Sequence, residues 1–213
     1  MALPATGGSW AEVIEPGLNP LATNYWQTTD ILICDYFKAN GTVLNLADPS
    51  VGLGTQGLFT PFAADGITIR EDLLITAPTP NMGFYHIGLL KENQASHTLD
   101  QTIQETPSAQ YIRTVRNVIT KLEDKIEFQP IENTPLIHYL RNELPLVNGI
   151  PALGTPGLQI PRPNTDVLQE RVIVLLGTDG AGTLFAKVFA HVTTDKKGKT
   201  ELGRHAPESS PFT

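Results

Sequence analysis

Cysteine is almost absent. The one thiol, Cys34, leaves no partner for an intrachain disulfide and rules out a cysteine-based zinc site. It sits in the strand-like run DILICDYF beside Asp35, so the electropositive neighbourhood of a nucleophile is missing and a buried, inert thiol is expected. Charge is scarce as well, at 17% of residues, and its balance is acidic: 15 Lys and Arg against 22 Asp and Glu, a net −7. A nucleic-acid grip needs clustered cations. Here Arg113 and Arg116 are three apart in a strand-like stretch, which puts them on opposite faces, and Lys196, Lys197 and Lys199 form one small loop cluster. No apolar run approaches the ~20 residues that span a bilayer. The start, MALPATGGSWAEVIEPG, has neither a basic beginning nor a continuous apolar stretch, so no secretory leader is expected and assembly in the cytoplasm is. Asn40-Gly41-Thr42 matches a glycosylation sequon, but without a secretory route it reads as a turn.

The usual chemical signatures are missing too. Gly52-Leu53-Gly54-Thr55-Gln56-Gly57 matches GxGxxG, yet Pro49 precedes it, Pro61 follows it and no helical pattern continues from it, so a dinucleotide fingerprint is rejected. Gly177 to Gly182 lacks the Lys-Ser/Thr of a phosphate loop and reads as a turn. The five histidines (His86, His97, His138, His191, His205) are scattered without HExxH spacing, and no Gly-x-Ser-x-Gly elbow occurs. No catalytic, metal-ligating or cofactor-binding residue is therefore assigned, and a non-enzymatic role is expected.

What is plentiful is glycine (18) and proline (17), which argues for many turns and few long helices. Residues 1–28 are rich in Pro, Gly, Ala and Thr with Trp10, Tyr25 and Trp26 embedded; they read as an N-terminal arm without a core of its own. Residues 29–213 read as one mainly β domain. TDILICDYF and TVLNL flank Asn40-Gly41, a hairpin signal. A long loop at 47–65 displays Leu53, Leu58, Phe59 and Phe62, which mark it as interaction surface. Strands are predicted at 66–77, 84–92 and 98–105. YIRTVRNVITKLEDKIEFQPIE reads as two further arms joined around Lys121–Asp124. In its second arm Ile126 and Phe128 share one face while Lys125, Glu127 and Gln129 share the other. A second Pro/Gly-rich loop covers 145–170, RVIVLLGTD (171–179) reads as a buried strand, and LFAKVFAHVTTD (184–195) as its partner across Gly180-Ala181-Gly182. The abrupt end after Phe212-Thr213 suggests a natural chain that continues.

ENTPLIHYLRNELP predicts a short helix over about 135–144. Thr134 is the cap, Pro135 suits the first position, and Pro145 stops the helix. Leu136, Ile137, Leu140 and Leu144 fall in one apolar stripe, with His138, Arg141 and Asn142 opposite it. Glu132 and Glu143 are not helical neighbours of His138, so the charged residues of this segment do not converge and the segment reads as architecture.

Three segments in order, FYHIGLLKEN (84–93), TKLEDKIEFQPIENTPLIHYLRNELP (120–145) and ERVIVLLGTDGAG…KVFAHVTTDKKGKTELGRHAPESSPFT (170–213), resemble the major tail proteins, or tail tube subunits, of bacteriophages with long non-contractile tails. The set is most like those of phages infecting actinobacteria. The resemblance implies a tail-tube-type β-sandwich or barrel with one flanking helix. On that resemblance its subunits would close into hexameric rings that stack into a tube conducting double-stranded DNA without specific binding. It also implies a place in the virion tail, with tape-measure, tail terminator and tail-tip proteins as partners and no membrane. Trp10, Trp26, Leu53, Leu58, Phe59 and Phe62 would make contacts between subunits, and Glu105 and Glu127 are candidate acids for the lumen wall. Two other classes stay open: another ring-forming virion component (tail terminator, baseplate or decoration protein), and a β-rich binding module or enzyme using His86, His138 or His191.

Overall fold

The computed structural model describes residues 26–92, 95–108, 111–162, 167–179, 182–199 and 211–213, the side chains of 106–108 and 111–116 excepted. The fold is mainly β. Its centre is a four-stranded antiparallel sheet in the order β2-β1-β5-β6, made of β1 (Thr28–Asp35), β2 (Tyr85–His86), β5 (Arg171–Thr178) and β6 (Leu184–Val192). A separate two-stranded ribbon pairs β3 (Ser96–Ser108) with β4 (Tyr111–Glu127). The one α-helix among the described residues is α1 (Pro135–Arg141).

The sheet's middle strands are covered on both faces, which is why β5 carries a nearly unbroken apolar run. Ile31, Ile33, Ile173 and Leu175 point to one side, where they meet Leu136, Ile137 and Leu140 of α1, Ile126 and Phe128 at the ribbon stem, and Phe212. Leu32, Cys34, Val172, Val174 and Leu176 point to the other, against Leu44, Leu46, Leu73 and Phe84 of the long connection between β1 and β2. Burying each such side chain is worth about 1.5–3 kcal/mol, so these two layers supply most of the driving force. Gly177 interrupts β5 for a local reason: a Cβ there would run into the Trp26 ring, which stacks on Phe185 with ring centres 6.0 Å apart.

The hairpin signal at Asn40-Gly41 corresponds to a tight reversal. Gly41 takes φ 77°, Lys38 and Thr42 bond across it, and Phe37 bridges Val43, although the return arm is a bridge and not a strand. Two strand expectations are corrected. Residues 66–77 form no strand: Asp65 accepts from the Ile67 and Thr68 amides and from the Thr68 hydroxyl, and these local bonds replace a ladder. Arg70 then reaches Asp72 and the carbonyls of Val51 and Gly52, pinning the irregular connection. Of 84–92 only Tyr85–His86 pairs as a strand. The reversal expected at Lys121–Asp124 is also absent. β4 runs straight through it, and the ladder instead closes at Ser108↔Tyr111, next to Pro107.

Helix α1 stops at Arg141 instead of reaching Leu144. Asn142 caps it, and Glu143 follows with φ 50°, rare for a residue with a Cβ. That turn swings Leu144 off the stripe to half-buried and carries Glu143 inward to 9% exposure, while Leu146 takes the buried apolar position. Thr134 caps by position only; its hydroxyl makes no capping bond.

Candidate functional site

Two charged constellations and one apolar surface stand out. The first constellation is buried. Arg171 opens β5 opposite Asp35 at the end of β1, with Arg171 Nη1 3.3 Å from Asp35 Oδ1. Asp35 Oδ2 also accepts from the amides of Leu146 and Val147. Arg171 Nη2 donates to the Leu144 carbonyl and lies 3.7 Å from Glu143 Oε2; Lys197 Nζ lies 2.6 Å from Glu143 Oε1 and donates to the Arg141 carbonyl. Burial pushes the Asp35 carboxyl above its usual range, and burial pulls the Arg171 guanidinium down against the raising effect of Asp35 and Glu143. Each cation here has an anion, so the group is a latch. It ties the turn after α1 and the segment after β6 to the sheet.

The ribbon carries the other two features. Directly paired residues share a face, so the register sorts it into two sides. One side holds Ser96/Glu127, Thr98/Lys125, Asp100/Glu123 and Thr102/Lys121. Lys121 and Lys125 both pair with Glu123, and Lys125 lies 3.2 Å from Asp100. Hydrogen bonds from Lys121 and Lys125 hold the Glu123 carboxyl below its usual range, and Glu123 and Asp100 raise the Lys125 ammonium. The other side holds His97/Ile126, Leu99/Asp124, Gln101/Leu122, Ile103/Ile119 and Glu105/Asn117. Leu99, Leu122, Ile103 and Ile119 there are 59%, 61%, 49% and 57% exposed. An extra residue, Thr120, is inserted on β4 opposite the Thr102/Ile103 step, where it preserves this segregation and twists the ribbon.

The ribbon stem is joined to the body at Ile126 and Phe128, with Phe128 stacked on Phe212, their ring centres 5.4 Å apart. A cavity of about 730 Å³ opens beneath the stem between Lys125, Ile126, Ile33, Ile173, Leu140 and Phe212. Among the described residues the ribbon backbone stays clear of the four-stranded sheet, and side chains make the connection.

The predicted contact residues do not act as one patch. Leu58 is 67% exposed, but Phe59 and Phe62 pack against the chain's own core, and Leu53 is half-buried and bridged to Phe59. Trp26 packs within the domain, and Gln27 already bonds Thr178 beside β1, so the last residues assigned to the arm belong to the sheet layer. Trp10, with the rest of 1–25, lies outside the described residues, as does His205. Glu105 and Glu127 are both exposed, yet they stand on opposite faces of the ribbon and near opposite ends of it. Gln129, expected on a wet face beside Glu127, is buried at 9% exposure. His86 pairs with Asp30 and His191 with Glu170, at 3.2 and 3.0 Å, each at the surface. Burial pushes the Cys34 thiol far up, as its inert reading requires. Among the described residues no group of three or more His, Cys, Asp or Glu could hold a metal ion, and no helix is long and apolar enough to cross a membrane.

Sequence reasoning missed the amphipathic ribbon because it broke β4 in two. Read unbroken, 111–127 alternates Lys121, Glu123, Lys125 against Leu122, Asp124, Ile126, and that alternation was the available signal. The latch left a fainter trace: a charge at the end of each apolar strand, Asp35 and Arg171. Comparison of the chain with protein-family models and with curated proteins finds no match.

Proposed function

We propose that the chain is a structural subunit of a phage tail tube, assembling into stacked hexameric rings around a channel that conducts double-stranded DNA. The observation that supports this best is the ribbon, with strands of 13 and 17 residues and an exposed apolar side bearing Leu99, Ile103, Ile119 and Leu122. A two-stranded ribbon is marginal in water by itself. A contiguous apolar side of this kind is the mark of a surface that another chain covers. An arm of one subunit lying on a different surface of the next is a head-to-tail contact, the type that generates rings and stacks.

The resemblance of 84–213 to tail tube subunits supplies the identity of the assembly, and the net charge of −7 suits a wall past which phosphates move without adhering. The partners on this reading are further copies of the chain, the tape-measure, terminator and tail-tip proteins, and passing DNA. The place is the virion tail, assembled in the host cytoplasm. The test is sedimentation velocity over a concentration series. Growth from subunit to six-fold multiples is expected; a monomer at every concentration, or a single closed oligomer that never grows, would overturn the reading.

A further inference from the structure

At His97 a polar side chain of the ribbon meets the sheet. Its ring edge packs on Phe189 of β6, with ring centres 5.1 Å apart, and Nδ1 lies 3.0 Å from Lys187 Nζ, also on β6. Nε2 contacts the Asp124 carboxylate on β4. The charged groups facing it are thus Asp124 from β4 and Lys187 from β6; Phe189 and Ile126, the ladder partner of His97, are apolar. The ring is largely covered, with a quarter of the side chain exposed.

These partners fix the protonation state. An ammonium has three donors and no lone pair, so the Nδ1 facing Lys187 must be an unprotonated acceptor. A carboxylate only accepts, so the Nε2 facing Asp124 must carry the hydrogen. Only the neutral ring with its proton on Nε2 satisfies both neighbours at once. A proton added at Nδ1 would set an N–H donor of a cation against an ammonium 3.0 Å away, and that contact must open. The contact to Asp124 is strengthened by the same proton, and it lies wholly within the ribbon. Acidification therefore cuts this polar tie to the sheet and leaves the ribbon's own pairing and the apolar stem at Ile126 and Phe128 intact.

We propose that His97, Lys187 and Asp124 form a pH-operated hinge that docks the β3–β4 ribbon on β6 when His97 is neutral and releases it when His97 is protonated. The backbone geometry allows the motion, because the ribbon strands and the sheet are linked by side chains and not by a shared ladder. Imidazole is the side chain whose charge ordinarily changes between about pH 5 and about pH 8. The hinge belongs to this chain whichever assembly it enters. In a ring-forming subunit it would set when the apolar side of the ribbon is presented.

The test is a spin-label distance between Asn117→Cys, on the exposed ribbon, and Ala190→Cys, on the exposed side of β6, in the full chain diluted with unlabelled chain. Buried Cys34 does not compete for label. One narrow distance is expected at about pH 8, and a second, longer and broader population at about pH 5. His97→Gln supplies an amide that donates to Asp124 and accepts from Lys187 at either pH, so its distance is expected to stay narrow throughout. Lys187→Gln removes the opposing ammonium and is expected to lose the pH response as well. A wild-type distance unchanged between the two pH values would overturn the hinge. So would a pH response that survives in both variants.

Discussion

Arg171 and Asp35 face each other as register partners on β5 and β1, with Nη1 and Oδ1 3.3 Å apart and side chains only 4% and 6% exposed. The pair closes the end of the sheet nearest α1. Through Glu143 and Lys197 it also holds the turn that ends the helix and the segment that follows β6. Removing one partner strands the other charge in a dry site. Arg171→Met is therefore expected to cost about 3–5 kcal/mol, read as a fall in the urea midpoint. Asp35→Asn added to that variant is expected to recover part of the loss, since no unpaired aspartate then remains. A single substitution costing under about 1 kcal/mol would show that the latch is not holding these segments.

Two carboxylates set opposite pH slopes. Hydrogen bonds from Arg70 hold Asp72 below its ordinary value of 3.8, so its contribution is present above that value and is lost as pH falls through the lower folded one. Burial raises Asp35 above 3.8, so its contribution is complete below that value and declines as pH rises through the higher folded one. Urea midpoints from about pH 2 to about pH 6 are expected to lose part of their acid sensitivity in Asp72→Asn. In Asp35→Asn the decline on the upper side is expected to vanish. Slopes unchanged in both variants would contradict these assignments.

Cys34 is 4% exposed between the sheet and the β1–β2 connection, and its raised pKa leaves almost no thiolate. In native protein it is expected to resist thiol reagents for as long as the fold holds. In urea it is expected to react fully, at a rate that tracks unfolding. Rapid native-state modification would place that face of the sheet in contact with solvent.

The apolar side of the ribbon offers a substitution that separates assembly from folding. Leu99→Ser with Leu122→Ser changes two residues that are 59% and 61% exposed, so the unfolding free energy read from urea curves is expected to fall by no more than about 0.5 kcal/mol per site. Self-association is expected to be lost. Sedimentation of the double variant at a concentration where the wild type assembles is the check, and assembly of undiminished size would remove the ribbon from the interface.

The legible parts of this fold were those where a single period runs unbroken. Arg171–Thr178 was readable because a strand covered on both faces must be apolar throughout, and Leu184–Val192 because it follows it directly across a glycine turn. The Pro135 start of α1 followed from its missing amide hydrogen. Its end did not, because Glu143 adopts φ 50° for the sake of tertiary ion pairs with Arg171 and Lys197, which no local pattern encodes. The alternation in 66–77 was real but was overridden by Asp65 and Arg70, whose side chains bond the backbone nearby. In the ribbon the error ran the other way: Lys121-Leu122-Glu123-Asp124 looked polar enough for a turn, whereas Lys121 and Glu123 lie on the ion-paired side of a long strand and Leu122 and Asp124 on its other side. The His97–Lys187 contact joins residues 90 positions apart and left no trace in spacing at all.

The tail-tube reading meets its most direct test in negative-stain electron microscopy of the purified chain across a concentration series. Hollow six-fold rings that stack into tubes, with a lumen wide enough for duplex DNA, are the expected result. Particles that remain single subunits at every concentration, or discrete oligomers without a through-channel, would contradict it.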